Sequence, residues 1–180
     1  MLFRSEFLEE IKFSEFNKRL DAGYSFSKMK VELLEKYPRQ HELVRAFFDR
    51  WMECTGGTIE PTAEIMREVK AAGYPVYGLS NWSHETFPRL RHRYPFLNEL
   101  DDYLLSGMAG VAKPDEEIFR IFLQRIDRQA EDCLFIDDAQ VNIDAANRLG
   151  FTGILFSSAP QLRADLHALG ILNGKSPDPR

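Results

Sequence analysis

Cysteine is scarce in this chain: only Cys54 and Cys133 occur, far apart and in no metal-ligand spacing. No cysteine metal site follows, and the pattern points to a reducing cytoplasm, with Cys133 a small hydrophobe at the start of a strand-like run. Positive charge is also short. Lys and Arg number 23 against 28 Asp and Glu, a net charge of −5, and no basic run or broad basic face is apparent. That argues against a nucleic-acid or membrane surface as partner. No apolar run approaches the ~18 residues of a membrane span, and Met1-Leu2-Phe3-Arg4 does not open a signal peptide. Internal repeats and low-complexity segments are absent. What is present, 180 residues with 44% hydrophobic and 28% charged side chains, suffices for a soluble globular fold with a real core.

The first segment, to about Thr55, reads as helical throughout. Phe3, Phe7, Leu8, Ile11, Phe16 and Leu20 keep a period near 3.6 residues, and Asp21-Ala22-Gly23 closes that helix. Ser25 or Ser27 caps a second helix stopped by Pro38, and a third runs through Leu43, Val44, Phe47, Phe48 and Trp51 toward Gly56-Gly57. From Thr58 the pattern alternates. Helices begin at Pro61, after Ser83, at Pro114, at Val141 and around Leu162. Between them lie strand-like runs at 75–79, 103–106, 134–136 and 154–156, with a polar tail from Asn173 that reads as disordered. Strands alternating with helices point to βαβ units and an α/β fold with a mostly parallel sheet.

The chemistry collects at strand ends, where an open α/β sheet forms its crevice. Ser80-Asn81 follows one apolar run and Asp137-Asp138 another, with Lys113-Pro114 between them in sequence. Two adjacent carboxylates repel unless a cation compensates, and magnesium takes one or two carboxylates beside a phosphate. One of the pair also suits the cap of the helix starting near Ala139, and Asn142, a turn later, either orients a metal shell or is an ordinary polar helix residue. Ser80 and Asn81 suit a phosphate cradle at a helix start, or equally a local turn. Lys113 alone reads as a surface group. In this order, each at a strand–helix junction, the three together are far more specific. No strand ending in an aspartate nucleophile precedes them. Asp21 closes an amphipathic helix, and its neighbours Lys18 and Arg19 do not suit a buried strand.

These motifs resemble those of the haloacid dehalogenase-like (HAD) hydrolases, in the subfamily with a helical cap inserted after the first strand. Leu79-Ser80-Asn81-Trp82-Ser83 is similar to the family's second motif, Gly110 to Asp115 to its third, and Phe135-Ile136-Asp137-Asp138 to its fourth; the similarity covers about Met1 to Ser158. The resemblance implies that Ser80 holds a transferring phosphoryl oxygen and Asn81 lends its backbone amide. Lys113 steadies charge, and Asp137 and Asp138 bind Mg2+, with Asp138 the direct ligand. It further implies a covalent aspartyl intermediate on a first motif that this chain lacks, expected on a strand upstream of Met1.

The expected architecture is therefore a doubly wound, mostly parallel, HAD-like Rossmannoid sheet without its first, central strand. Residues 1–57 form a helical cap region, 58–160 the α/β core, and 161–180 a C-terminal helix and polar tail. The expected function is a magnesium-dependent phosphatase of a small phosphorylated metabolite, inactive as written. The alternatives are a dehalogenase-type hydrolase, which needs no metal for halide displacement, and a non-catalytic fragment or binding protein. A response-regulator-like receiver fits less well, because its acidic pair would come early in the chain. Phe16, Tyr24 and Trp51 either shape a pocket or belong to the core.

Overall fold

The computed structural model describes residues 5–172, so the expectations for Met1 to Arg4 and for the tail from Asn173 lie outside the described residues. In chain order the first helices are α1 (Ser5–Glu10), α2 (Phe13–Asp21), α3 (Phe26–Lys36), α4 (His41–Asp49) and α5 (Glu60–Ala71). Then come β1 (Tyr77–Ser80), α6 (Phe87–Arg93), β2 (Asp102–Leu105), α7 (Ser106–Ala109) and α8 (Glu116–Ile126). The chain finishes with β3 (Leu134–Asp137), α9 (Gln140–Arg148), β4 (Thr152–Leu155) and α10 (Ala159–Ala168). Two compact units result. One gathers residues up to Gly57 with Asn81–Pro95 and Leu105–Ala112; the other holds Thr58–Ser80, Phe96–Leu104 and the chain from Lys113 onward.

In the first unit the single helix expected up to Leu20 is broken. Lys12 takes a left-handed φ of 54° between α1 and α2, a conformation that an L-residue adopts at a cost of roughly 1–2 kcal/mol. The break is offset by packing. Phe7 and Ile11 join Phe16, Leu20, Met29, Leu33, Val44 and Phe48 in one buried cluster. Ser25 caps α3 by accepting the Lys28 amide, which satisfies one of the open donors of its first turn. The helix expected to run on to Trp51 ends at Asp49, and Trp51–Cys54 tightens into a 3-10 turn.

In the second unit β3 and β4 pair in parallel, Leu134 opposite Thr152 and Asp137 opposite Leu155, with α9 as their crossover. Phe135 turns to one face of β3 and meets Phe119 and Phe151 at ring distances of 5.1 and 6.0 Å. Ile154 lies in a second cluster with Ile65 of α5 and Ala159, Leu162 and Leu166 of α10. Gly153 permits the close seating of α9. A Cβ there would fall 2.6 Å from Asn147 Oδ1 and 2.8 Å from Ile143 Cγ2, while its amide donates to the same Asn147 oxygen. β1 pairs with β2. Among the described residues the four strands form two separate two-stranded sheets rather than one continuous sheet.

Candidate active site

Two chemistry-bearing positions of the second unit lie at strand ends as expected, whereas the third, Lys113, lies between the helices α7 and α8 rather than at a strand–helix junction. β1 ends at Ser80, β3 ends at Asp137, and Lys113 precedes α8, whose first turn is capped by Asp115 accepting the Glu117 amide. The Lys113 ammonium binds two of these places at once. It donates to the Leu79 carbonyl at 2.8 Å and to Asp137 Oδ2 at 2.7 Å, and it lies 5.5 Å from the centre of the Phe135 ring. Both partners of the ion pair are nearly enclosed, at 10% and 7% side-chain exposure.

The two aspartates divide their labour. Asp137 Oδ1 accepts from the Ala139 amide at 2.9 Å and from the Asn142 side-chain amide at 2.8 Å. Asp137 thus holds the amide of Ala139 just before α9, which itself has no side-chain cap, so neither aspartate caps that helix as the sequence suggested; buried Asn142 is an orienting partner of Asp137. Burial pushes the Asp137 carboxyl up, but the bonds from Lys113, Asn142 and the Ala139 amide outweigh this and hold it below the usual carboxylate range. Asp138 is exposed and has no hydrogen bond or ion pair to any described residue. Ser80 is half-buried, and its hydroxyl likewise has no partner among the described residues. Asn81, next in the chain, belongs to the first unit.

Asp21 is the last residue of α2 and accepts the Asn17 amide at 3.2 Å. Burial alone pushes its carboxyl up. It ends a helix, as its charged neighbours imply, and not a strand. Sequence reasoning missed the Leu79 carbonyl and the Phe135 ring as partners of Lys113. A backbone acceptor has no sequence signal, and Phe135 reads as core.

The donor set suits a hard cation. Among the described residues no group of three His, Cys, Asp or Glu side chains gathers around one point. Magnesium needs less, because it binds through one or two carboxylates and completes its shell with water and phosphate oxygens. Asp138 presents such an unengaged carboxylate. Both oxygens of Asp137 already accept hydrogen bonds, so it fits as a supporting neighbour more readily than as an open ligand.

The chain belongs to the haloacid dehalogenase-like hydrolases, whose family model matches residues 7–150. It is similar to the sesquiterpene phosphatase astK of Aspergillus oryzae, 32% identical over 103 residues, or 56% of this chain and 53% of that protein. A phosphatase of Mycobacterium tuberculosis is 30% identical over 118 residues, covering 62% and 54% of the two chains. Among solved structures, a mutant HAD family enzyme of Bacteroides thetaiotaomicron in complex with magnesium and inorganic phosphate shares the fold. Its TM-score is 0.66 at 21% identity, over 85% of this chain and 80% of that one. The chain spans about half or less of the first curated relatives it matches, 53%, 17% and 27% of their lengths.

Proposed function

We propose that this chain carries the phosphate-handling side of a magnesium-dependent phosphatase whose substrate is a small phosphorylated metabolite. The observation that carries the reading is the Lys113 ammonium, tied to the ends of β1 and β3 through Leu79 and Asp137. A cation fixed there is joined in the chain by Ser80, next after Leu79, and Asp138, next after Asp137, whose hydroxyl and carboxylate have no partner among the described residues; together they offer charge and hydrogen bonds to an anion. In this reading the Ser80 hydroxyl donates to a phosphoryl oxygen, the Asn81 backbone amide adds a second donor, and Lys113 neutralises developing charge. Asp138, supported by Asp137, would hold magnesium, which when bound neutralises charge on the phosphate oxygens. The kinship with two phosphatases supports the same class.

The attacking carboxylate is assigned to a strand outside the described residues, seated between β1 and β3. The division of the four strands into two separate pairs supports that assignment. In this reading the described residues up to 57 serve as the cap region and 58–160 as the catalytic core, with the rest of α10 following it. A dehalogenase reading draws on similarity to the (S)-2-haloacid dehalogenase of Pseudomonas fluorescens, 29% identical over 90 residues, half of this chain. Halide displacement from carbon needs no metal and leaves the exposed Asp138 without a task, so the phosphatase reading is preferred.

The test is phosphate release from a panel of small phosphate esters, with and without magnesium, by the protein carrying the nucleophile strand. Lys113→Ala should lower turnover on the order of 10²–10³-fold, the weight of one charge-stabilising donor. Full activity in Lys113→Ala, or turnover indifferent to magnesium, would overturn the reading.

A further inference from the structure

Among the described residues three buried side-chain polar atoms lack a hydrogen-bond partner, and two of them are the indole nitrogens of Trp51 and Trp82. These are the only two tryptophans in the chain. They are also ring neighbours, with centroids 5.8 Å apart and planes inclined at 54°. A buried indole N–H ordinarily finds an acceptor, so two orphaned donors in one pair of touching rings are a coincidence that packing alone does not explain.

The surroundings are built around the pair within the first unit. Trp51 is buried and meets Phe26 at 5.9 Å, and Phe26 in turn lies on Phe48 at 4.7 Å. The backbone of Trp82 is pinned on both sides. Its amide donates to the hydroxyl of fully buried Ser106 at 3.0 Å, and its carbonyl accepts from the Gly107 amide at 3.1 Å. Position 107 must be glycine for this approach, because a Cβ there would fall 2.8 Å from the His84 amide nitrogen and 3.0 Å from the Trp82 carbonyl. The base of the indole is thus fixed while its N–H has no acceptor among the described residues.

We infer that Trp51 and Trp82 are the closed form of a binding site for a flat aromatic group bearing an acceptor oxygen, such as an aryl carboxamide or ketone. The rings supply aromatic faces for stacking. The two N–H groups, which can only donate, call for an acceptor, and one carbonyl oxygen has two lone pairs to offer them. Both nitrogens are enclosed, so an acceptor reaches them only when the rings part, and binding must therefore disturb the two indole fluorophores of the chain.

The experiment is a titration of the full chain with benzamide, followed by tryptophan emission, with acetamide as the ringless control. Trp51→Phe and Trp82→Phe keep a ring and remove one N–H each. Benzamide is expected to produce a saturable emission change, acetamide none, and each variant to weaken benzamide binding ~3–10-fold, the weight of one hydrogen bond. No saturable change in the unaltered chain would overturn the inference, whether or not the variants fold. Equal affinity in well-folded variants would overturn it too. Inorganic phosphate binding in the presence of magnesium, measured separately by calorimetry, reports on Ser80 and Lys113. Failure there with benzamide binding intact sinks the phosphate reading alone.

Discussion

Lys113 Nζ and Asp137 Oδ2 stand 2.7 Å apart, in an ion pair of which each side chain is at least nine-tenths enclosed. A pair so far from water is sustained by its additional bonds, here the Leu79 carbonyl on the cation and two amides on the anion. Removing one partner leaves the other uncompensated. Lys113→Met should therefore destabilise the fold by about 3–5 kcal/mol. Lys113→Met with Asp137→Asn should cost less than the sum of the single changes, by about 1–3 kcal/mol. Denaturant unfolding of the four proteins measures this coupling, and simple additivity would deny that the pair acts as a unit.

The same pair sets a pH dependence. The Asp137 carboxyl is lowered in the folded state, the hydrogen bonds outweighing burial. Its contribution to stability is then fully present above the unfolded value of about 3.9 and lost as pH falls through the lower folded value. The stability difference between the unaltered chain and Asp137→Asn should stay constant near neutrality and shrink below about pH 4. Thermal unfolding across that range tests it, and a difference that widens in acid would reverse the assignment.

Gly153→Ala drives a methyl into Asn147 and Ile143, at 2.6 and 2.8 Å from the nearest atoms. The expected loss is about 1–3 kcal/mol, the usual range for overpacking. Because α9 carries Asn142, the change should also loosen the hold on Asp137. A melting temperature equal to that of the unaltered chain would show that α9 yields freely.

Much of this arrangement was legible in the sequence because its signals are local. Gly73 and Gly150 mark helix ends through their positive φ, and Asp115 caps α8 where Pro114 and the acids announce a start. The four strands stand within two residues of the apolar runs that predict them. The break at Lys12 was not legible, since neither glycine nor proline marks it and tertiary packing decides it. The sequence suggested that one aspartate of the pair caps the helix near Ala139, but α9 has no side-chain cap. Asp137 is engaged instead by Lys113 and Asn142, which reach it from elsewhere in the fold, and periodicity does not encode that.

Asp138 and Asp137 should separate cleanly in metal binding. Asp138 is exposed and without a partner among the described residues, so Asp138→Ala should abolish magnesium binding and change stability by no more than about 0.5 kcal/mol. Asp137→Ala should reduce both. Magnesium calorimetry beside thermal unfolding distinguishes them, and undiminished magnesium binding in Asp138→Ala would assign the metal elsewhere.

The most direct measurement compares magnesium-dependent hydrolysis of small phosphate esters by the 180-residue chain with that by a form extended by an apolar strand ending in Asp-x-Asp. The extended form should turn over with magnesium, lose that activity under chelation, and lose it again in Asp138→Ala, while the 180-residue chain shows no turnover. Magnesium-dependent turnover by the 180-residue chain alone, in a cooperatively unfolding monomer, would contradict the assignment of the nucleophile to a strand outside the described residues.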